Sequence, residues 1–293
     1  RYSSDISSWN STSTVELTSN AGIAPNGQLE ADLIVFPSTA TQHYVYDNTI
    51  SLTSGTTYTT SVYVKSAGQR YFQMCGNSSG WGYTGANFDL EAVSSVNINS
   101  ATSTITAVGN GWYRLTVTMA AAATTTGGVI LIGVGSSTAA HFAATAGDDY
   151  SGVLCWGFQT EVGSAASSLI STSGASATRS ADSCSIVSQP ILDNGSGGLV
   201  VEYDMRDASD TAYVLQLERS VGATNGGGVA LTQTYLAVEN NWQNVGTTTS
   251  NVFHRVAASW EAASQKISRD GGAVAENTST VVPSNVNTLH IGT

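Results

Sequence analysis

Along most of this chain apolar and polar residues alternate one by one. In "TYTTSVYVK", Tyr58, Thr60, Val62 and Val64 fall on one face and Thr57, Thr59, Ser61, Tyr63 and Lys65 on the other. In "WYRLTVTM", Tyr113, Leu115, Val117 and Met119 alternate with Trp112, Arg114, Thr116 and Thr118. A period of two is that of a half-buried strand, and helical spacing is almost nowhere to be found. "GVILIGVG" (Gly128–Gly135) is apolar without interruption, which predicts a strand covered on both faces. "GVLCWGFQT" sets Leu154, Trp156 and Phe158 against Cys155, Gly157 and Gln159. Turn residues at Pro25-Asn26-Gly27, Thr53-Ser54-Gly55, Gly109-Asn110-Gly111 and Gly147-Asp148-Asp149 separate these runs. Short strands and turns without intervening helices predict an antiparallel β-sandwich over residues 1–170.

The alternation then dissolves into Ser, Ala, Thr and Gly, ending on "TRSAD" (Thr178–Asp182). Residues 171–183 read as a solvated connector. The rhythm restarts in "GGLVVEYDM", "AYVLQLER", "GGVALTQTYLAVE" and "FHRVAASWEAASQKISRDGGAV", whose Asp270-Gly271 pair is a hairpin signal. Residues 184–293 therefore form a second sandwich, so the fold class is all-β with two antiparallel sandwiches in tandem.

Composition narrows the partners. Only 11% of the 293 residues are charged, the formal net charge is -11, and Lys65 and Lys266 are the only lysines. Nucleic acid and anionic membranes both demand clustered Lys and Arg, so neither is expected as a partner. No apolar run reaches the length of a membrane span, and membrane insertion is not expected. With 41% hydrophobic residues in strong patterns, disorder is excluded as well. Cys75, Cys155 and Cys184 are odd in number and lack a C-x-x-C pair, so all three are expected reduced. The chain opens at Arg1 rather than Met and reads as a processed or trimmed piece.

Five segments carry a resemblance: "NAGIAPNGQLEAD", "LTSGTTYTTSVYVKSAG", "FDLEAVSSV", "GNGWYRLTVT" and "WGFQTEVGSAASSLISTSGASATRSAD". Together they cover most of residues 20–182. They resemble the carbohydrate-binding-module-like jelly rolls of phage tail and other virion structural proteins, whose closing strand and tail usually end in Thr-Arg-x-Ala-Asp. More loosely, "HRVAASWEAASQKISRDGG" and "VNTLHIG" resemble the laminin-G or concanavalin A-like sandwich that often follows in such proteins. In that family a further strand normally follows the Leu-x-Ile-Gly element. The resemblance thus implies truncation at Thr293 or completion of the sheet by another chain.

Candidate chemistry is sparse. "VEYDMRD" places Glu202, Asp204 and Asp207 near the E-x-D-x-x-E pattern of laminarinase-type glycosidases. That chemistry needs two carboxyls about 5–5.5 Å apart. Alternation puts Glu202 and Asp204 on one face and Asp207 on the other, so solvent-face carboxylates are the preferred reading and no enzyme is expected. His43, His141, His254 and His290 are too scattered for a metal cluster. "GDDYSG" (Gly147–Gly152) offers oxygen ligands for a structural calcium ion, but a polar turn explains it better. Otherwise no cofactor is expected.

The stronger candidates are aromatic. Trp81 and Tyr83 in "NSSGWGYTGANF" lie between glycines in an apparent loop, where flat rings suit the C–H face of a sugar. Tyr63 and Trp112 on polar strand faces, and Trp242 in "ENNWQN", extend the carbohydrate-binding set. Trp9, Trp156 and Trp260 read as core or edge packing. Arg179 and Asp182, flanking the restart, are expected to make interdomain contacts.

The expectation is a non-enzymatic phage virion surface protein, a tail fibre or similar appendage, located on the virion surface or extracellularly. Its partners would be other virion proteins and a cell-surface glycan. Homo-oligomers are expected, trimers because fibres usually have that symmetry. Two alternatives stand beside it: a carbohydrate-binding module pair from a secreted polysaccharide-degrading enzyme, and a purely structural capsid or tail decoration protein.

Overall fold

In the first half of the chain, β-strands follow one another through tight turns. They are β1 (Asn10–Ser11), β2 (Glu16–Ile23), β3 (Leu29–Val35), β4 (Tyr44–Leu52), β5 (Thr57–Ala67) and β6 (Tyr71–Gly76). One helical turn, α1 (Ser78–Trp81), precedes β7 (Gly85–Asp89), β8 (Ser94–Ile98), β9 (Thr102–Gly109), β10 (Trp112–Ala120), β11 (Thr125–Val134) and β12 (Gly152–Val162). The computed structural model describes residues 5–6, 9–11, 15–178, 184–192, 196–204, 213–218, 228–232, 235–238, 241–244, 252–278 and 286–291. By internal contacts the chain divides into two units, Arg1–Arg179 and Ser180–Thr293.

The first unit is a sandwich of two antiparallel sheets, ordered β1-β4-β11-β6-β7-β8 and β2-β3-β12-β5-β10-β9. Its core follows from the alternation. Val62 and Val64 of β5, Leu115, Val117 and Met119 of β10, and Val153 and Phe158 of β12 point inward. There they meet Phe72 and Met74 of β6, Phe88 of β7, and Ile130 and Ile132 of β11. Burying each such side chain contributes about 1.5–3 kcal/mol. The continuous apolar run of β11 is covered on both faces, with Leu131 and Ile132 both buried.

Residues 171–178, expected as part of an open connector, belong to the first unit. The preceding stretch is already tied down: the Gly163 carbonyl accepts from Thr59 Oγ1 at 2.9 Å, and Ile170 N–H donates to Gln159 Oε1 at 2.7 Å. Arg179 and Asp182, proposed from sequence as interdomain contacts, lie outside the described residues.

The second unit contains β13 (Cys184–Leu192), β14 (Gly197–Asp204), β15 (Tyr213–Glu218), β16 (Gly228–Thr232) and β17 (Tyr235–Val238). It continues with β18 (Asn241–Asn244), β19 (Phe253–Glu261), β20 (Ser264–Arg269), β21 (Ala275–Asn277) and β22 (Val286–Ile291). They form antiparallel sheets ordered β13-β22-β15-β16-β17-β18 and β14-β19-β20-β21. Tyr203, Val256, Ala258, Trp260 and Ile267 make a small core onto which Val214 and Leu215 pack. Asp270 and Gly271 both adopt positive φ, 52° and 73°, at the turn that the D-G pair predicted. Asp270 also holds the hairpin from outside: its carboxylate accepts from Arg255 N–H at 2.8 Å and lies 2.8 Å from His254 Nδ1.

Cys75 and Cys155 are free and buried. Burial pushes the Cys75 thiol up to about 12 and raises that of Cys155 as well, so both act as small apolar core residues.

At the start of the β7–β8 turn, Arg70 grips Asp89 with two parallel bonds, Nε to Oδ1 at 2.9 Å and Nη2 to Oδ2 at 2.8 Å. The amides of Glu91 and Ala92 donate to the same carboxylate. The Arg70 hydrogen bonds, more than any other cause, bring the Asp89 carboxyl down to about 2. A depressed carboxyl contributes stability above its unfolded pKa of about 3.9 and loses it as pH falls through the folded value. Asp89→Asn is therefore expected to be less stable than the parent at pH 6. In denaturant titrations across pH, that difference shrinks as pH falls from about 4 towards 2.

Candidate functional site

The outer face of the first sheet is shaped by two buried amides. Gln73 and Asn87 are cross-strand partners on β6 and β7, each only 1% exposed. An unpaired amide in such a place would cost about 1–3 kcal/mol. Both are satisfied by the loop after β11. Gln73 Nε2 donates to Asn87 Oδ1 at 2.6 Å and to the Ala140 carbonyl at 2.7 Å, while its Oε1 accepts from Phe142 N–H at 2.7 Å. Asn87 Nδ2 donates to the Thr138 carbonyl at 2.8 Å, and its Oδ1 accepts from Ser136 N–H at 3.0 Å. The loop is thereby laid flat on the sheet.

That placement lines up aromatic rings from distant parts of the sequence. Tyr44 and Tyr46 project from β4, with ring centroids 6.1 Å apart. Phe142 sits 5.1 Å from Tyr44, His141 5.3 Å from Phe142, and Tyr83 4.4 Å from His141. Phe142 is buried, Tyr44, Tyr46 and His141 are partly buried, and Tyr83 is 48% exposed. Burial pushes the His141 imidazole below the ordinary histidine range, which leaves it uncharged at neutral pH. The strip ends in a free tyrosine ring.

Tyr83 is held where it is by its neighbours. Asn77 caps α1, its Oδ1 accepting from Gly80 N–H at 3.0 Å, and Gly82 closes the turn in the left-handed conformation. Tyr83 itself has φ 57°, an unusual value for a bulky residue. Its carbonyl accepts from Asn99 Nδ2 at 2.9 Å. Trp81 anchors the turn from beneath.

Trp81 was expected to present its ring to a ligand, and here the structure corrects the sequence reading. The residue ends a helical turn instead of sitting in a loop and is 1% exposed, with its ring edge-on to Tyr58 at 5.5 Å. Room for the indole exists because Gly76 has no Cβ, which would collide with it. Trp112 is corrected in the same way, being 3% exposed. It does share the outer face of the second sheet with Tyr63, in a cluster with Trp156 and Leu169, and Arg114 lies over the Tyr63 ring at 5.4 Å. The segment after β12 roofs this cluster, so Trp112 has no free face. Trp242 stands on β18 opposite Ala237, and its side chain lies outside the described residues.

Three of the acidic candidates, Glu202, Asp148 and Asp149, are hydrogen-bonded within the chain. Glu202 Oε1 accepts from Arg255 Nε at 2.6 Å across β14 and β19. Asp204 is also exposed on β14, and Asp207 lies outside the described residues. Asp148 accepts from Tyr150 and Ser151 N–H, and Asp149 from Ser38 N–H, as a polar turn requires. Among the described residues no three His, Cys, Asp or Glu side chains gather as a metal site.

The sequence matches no protein-family model and no curated protein sequence. Among solved structures, the chain is similar to the CBM22-1–GH10 modules of xylanase 10B from Clostridium thermocellum, solved with xylohexaose. Identity there is 13% and the TM-score 0.31, over 58% of this chain and 29% of that one. It is also similar to domains LG4-5 of the mouse laminin alpha1 chain, at 11% identity and TM-score 0.25 over 94% of this chain and 83% of that one. Likenesses of this size carry no functional argument. The class, tandem antiparallel β-sandwiches, rests on the strands and sheets of the chain itself.

The sequence singles out Tyr83, whose ring is exposed in the structure, but not the rings aligned with it. The "HYVYD" stretch held the one local signal, since Tyr44 and Tyr46 share a face at i, i+2 spacing. His141 and Phe142 join only through the buried amides. Asn87→Ala is expected to lower stability by about 2 kcal/mol, read by urea unfolding. Faster hydrogen exchange at Ser136 and Phe142 should accompany it.

Proposed function

We propose that this chain is a non-enzymatic surface protein of a phage virion, a tail fibre or similar appendage, that attaches to host glycan through its first sandwich. The exposed Tyr83 ring carries the glycan reading. It is fixed by a capped turn, backed by an uncharged imidazole, and continued by further rings on the same face. A rigid aromatic platform gains contact with the C–H face of a sugar at little entropic cost. The pairing of Glu202 with Arg255 on a solvent face favours a structural over a hydrolytic role for that carboxylate. The resemblance across residues 20–182 supports the virion setting, the surface location, and other virion proteins and further copies of the chain, in a trimer, as partners. A carbohydrate-binding module pair of a secreted polysaccharide-degrading enzyme would use the same ring, and the full-length gene separates the two settings.

Tyr83→Ala should weaken glycan binding at least about tenfold, measured against immobilised host-surface polysaccharide. Its unfolding midpoint should stay close to that of the parent, because the ring is half exposed. Undiminished binding in this variant would remove Tyr83 from the site.

A further inference from the structure

The two sheets of the first unit end in β8 and β9 on one side and in β1 and β2 on the other, and the two sides differ. β1 is only 2 residues long. β2 carries Glu16, is broken by register shifts around Gly22, and turns through a positive φ of 52° at Asn20. Short length, bulges and charge are the usual guards of an open sheet edge. The β8–β9 side has almost none of them. Across residues 92–113 there is no Asp, Glu, Lys, Arg, His or Pro. β9 runs for 8 residues, against about 5–6 for a typical strand, and its one register shift falls beyond Ala107. Among the described residues neither β8 nor β9 has a second neighbour in its sheet, and neither makes any further backbone hydrogen bond.

This open side is held rigidly. Residues 99–101 join β8 to β9, and the Ser103 hydroxyl reaches back to Ser95 Oγ at 2.9 Å and Asn97 Oδ1 at 2.5 Å. The two strands therefore run in opposite directions with their edges tied together. At the head of β8, Val93 has φ 51°, which a β-branched residue rarely adopts, and Asp89 fixes that turn through the Glu91 and Ala92 amides. At its tail, Asn99 Nδ2 donates to the Gly82 and Tyr83 carbonyls. Val93, Val96 and Val108 stay exposed along the side. Unpaired backbone donors and acceptors on a fixed, uncharged edge suit an extended strand as partner. Such an edge is already ordered before it binds, so little further freedom is lost from this side.

We propose that copies of this chain meet on the β8–β9 side, β9 of one copy pairing antiparallel with β8 of the next. A second copy fits because the side itself supplies both halves of the contact: two free edges of opposite direction, both uncharged, lying together. Rotation about an axis along the strands preserves their directions, so β9 of one copy meets β8 of its neighbour antiparallel. Head-to-tail contacts of this kind close into a ring. The inference rests on the reading of the chain as an oligomer and assigns the surface that makes it. Because Asn99 holds Tyr83 beside the same edge, a closed ring displays one Tyr83 per copy at one level. A repetitive glycan engaging several of them is held more tightly than by one.

The test is the oligomeric state of the intact protein, by sedimentation velocity and native mass measurement from about 1 to 100 μM, with amide hydrogen exchange at both ends of that range. Val96→Lys, Val108→Lys and the double variant place charge on the two edges, and Thr18→Lys places it on β2 as a control. All three positions are exposed, so unfolding midpoints should stay close to that of the parent. The expected result is a parent trimer whose dissociation constant rises about tenfold or more in each edge variant. The double variant should be monomeric and Thr18→Lys unchanged, and the parent's β8 and β9 amides should exchange more slowly at high concentration. A trimer left intact by the double variant would overturn this surface while leaving the oligomer reading in place. So would equal dissociation by Thr18→Lys. A parent that stops at a dimer would overturn the head-to-tail pairing, and one that stays monomeric throughout would overturn both the surface and the oligomer.

Discussion

The Gln73–Asn87 amide pair is the constraint on which the aromatic face of the first unit depends. Neither side chain could remain on a covered sheet face without partners, and the backbone of residues 136–142 supplies them. Desolvation and loop placement are therefore one event. The loop must lie down for the amides to be satisfied, and once it does, Phe142 seals the sheet while His141 reaches Tyr83. Glycines make the close approach feasible: a Cβ at Gly133 would strike the His43 carbonyl, and one at Gly135 would press on Phe72. A polar requirement in the sheet thus ends as an aromatic feature on the surface.

The two sheets of that unit divide the labour. On the second sheet, Tyr63, Trp112 and Trp156 are roofed by the chain's own segment after β12. Glu161 and Arg114 hold Ser167 from its amide and carbonyl sides, and Gln159 accepts from Ile170. That face is consumed internally. On the first sheet, the covering loop stops short and leaves Tyr83 open. Aromatic content alone did not distinguish the two, because each sheet carries several rings. What differs is how far the covering segment extends.

The alternation of residues 57–65 and 112–119, the double-sided burial of β11 and the Asp270-Gly271 turn were all legible because each rests on neighbours within a few residues. The fate of Trp81 was not. Glycines on both sides of it signalled a loop, but Gly76 leaves room for the indole itself and Gly80 for Leu52, and Gly82 closes a helical turn in the left-handed conformation. Trp112 was misread for a related reason. Alternation correctly placed it off the core face, yet that outer face is covered by a segment more than 40 positions away, which no local pattern reveals. Tyr83 was legible as an exposed ring because its own turn determines its exposure. The rings beyond it come from residues about 40 and 60 positions distant and meet only in three dimensions.

Charge then limits how such a surface can bind. With ten basic residues against twenty-one acidic ones, and with Arg70, Arg255 and Lys266 already facing carboxylates, little cationic surface remains to attract an anionic polymer. Recognition on the reading proposed here must come from ring stacking and hydroxyl hydrogen bonds, interactions that are nearly insensitive to salt and individually weak. Weak neutral contacts become useful when repeated. Linking several contacts raises the effective concentration of the next one, and avidity can then exceed any single affinity by about 10²–10⁴. A surface of Ser, Thr, Ala and Gly with few charges is compatible with close packing of identical chains, which would multiply the sites again. On that proposal, the scarcity of charge, the aromatic strip and a repetitive glycan target would be parts of one physical solution: many small, unscreened contacts in place of a few strong ionic ones.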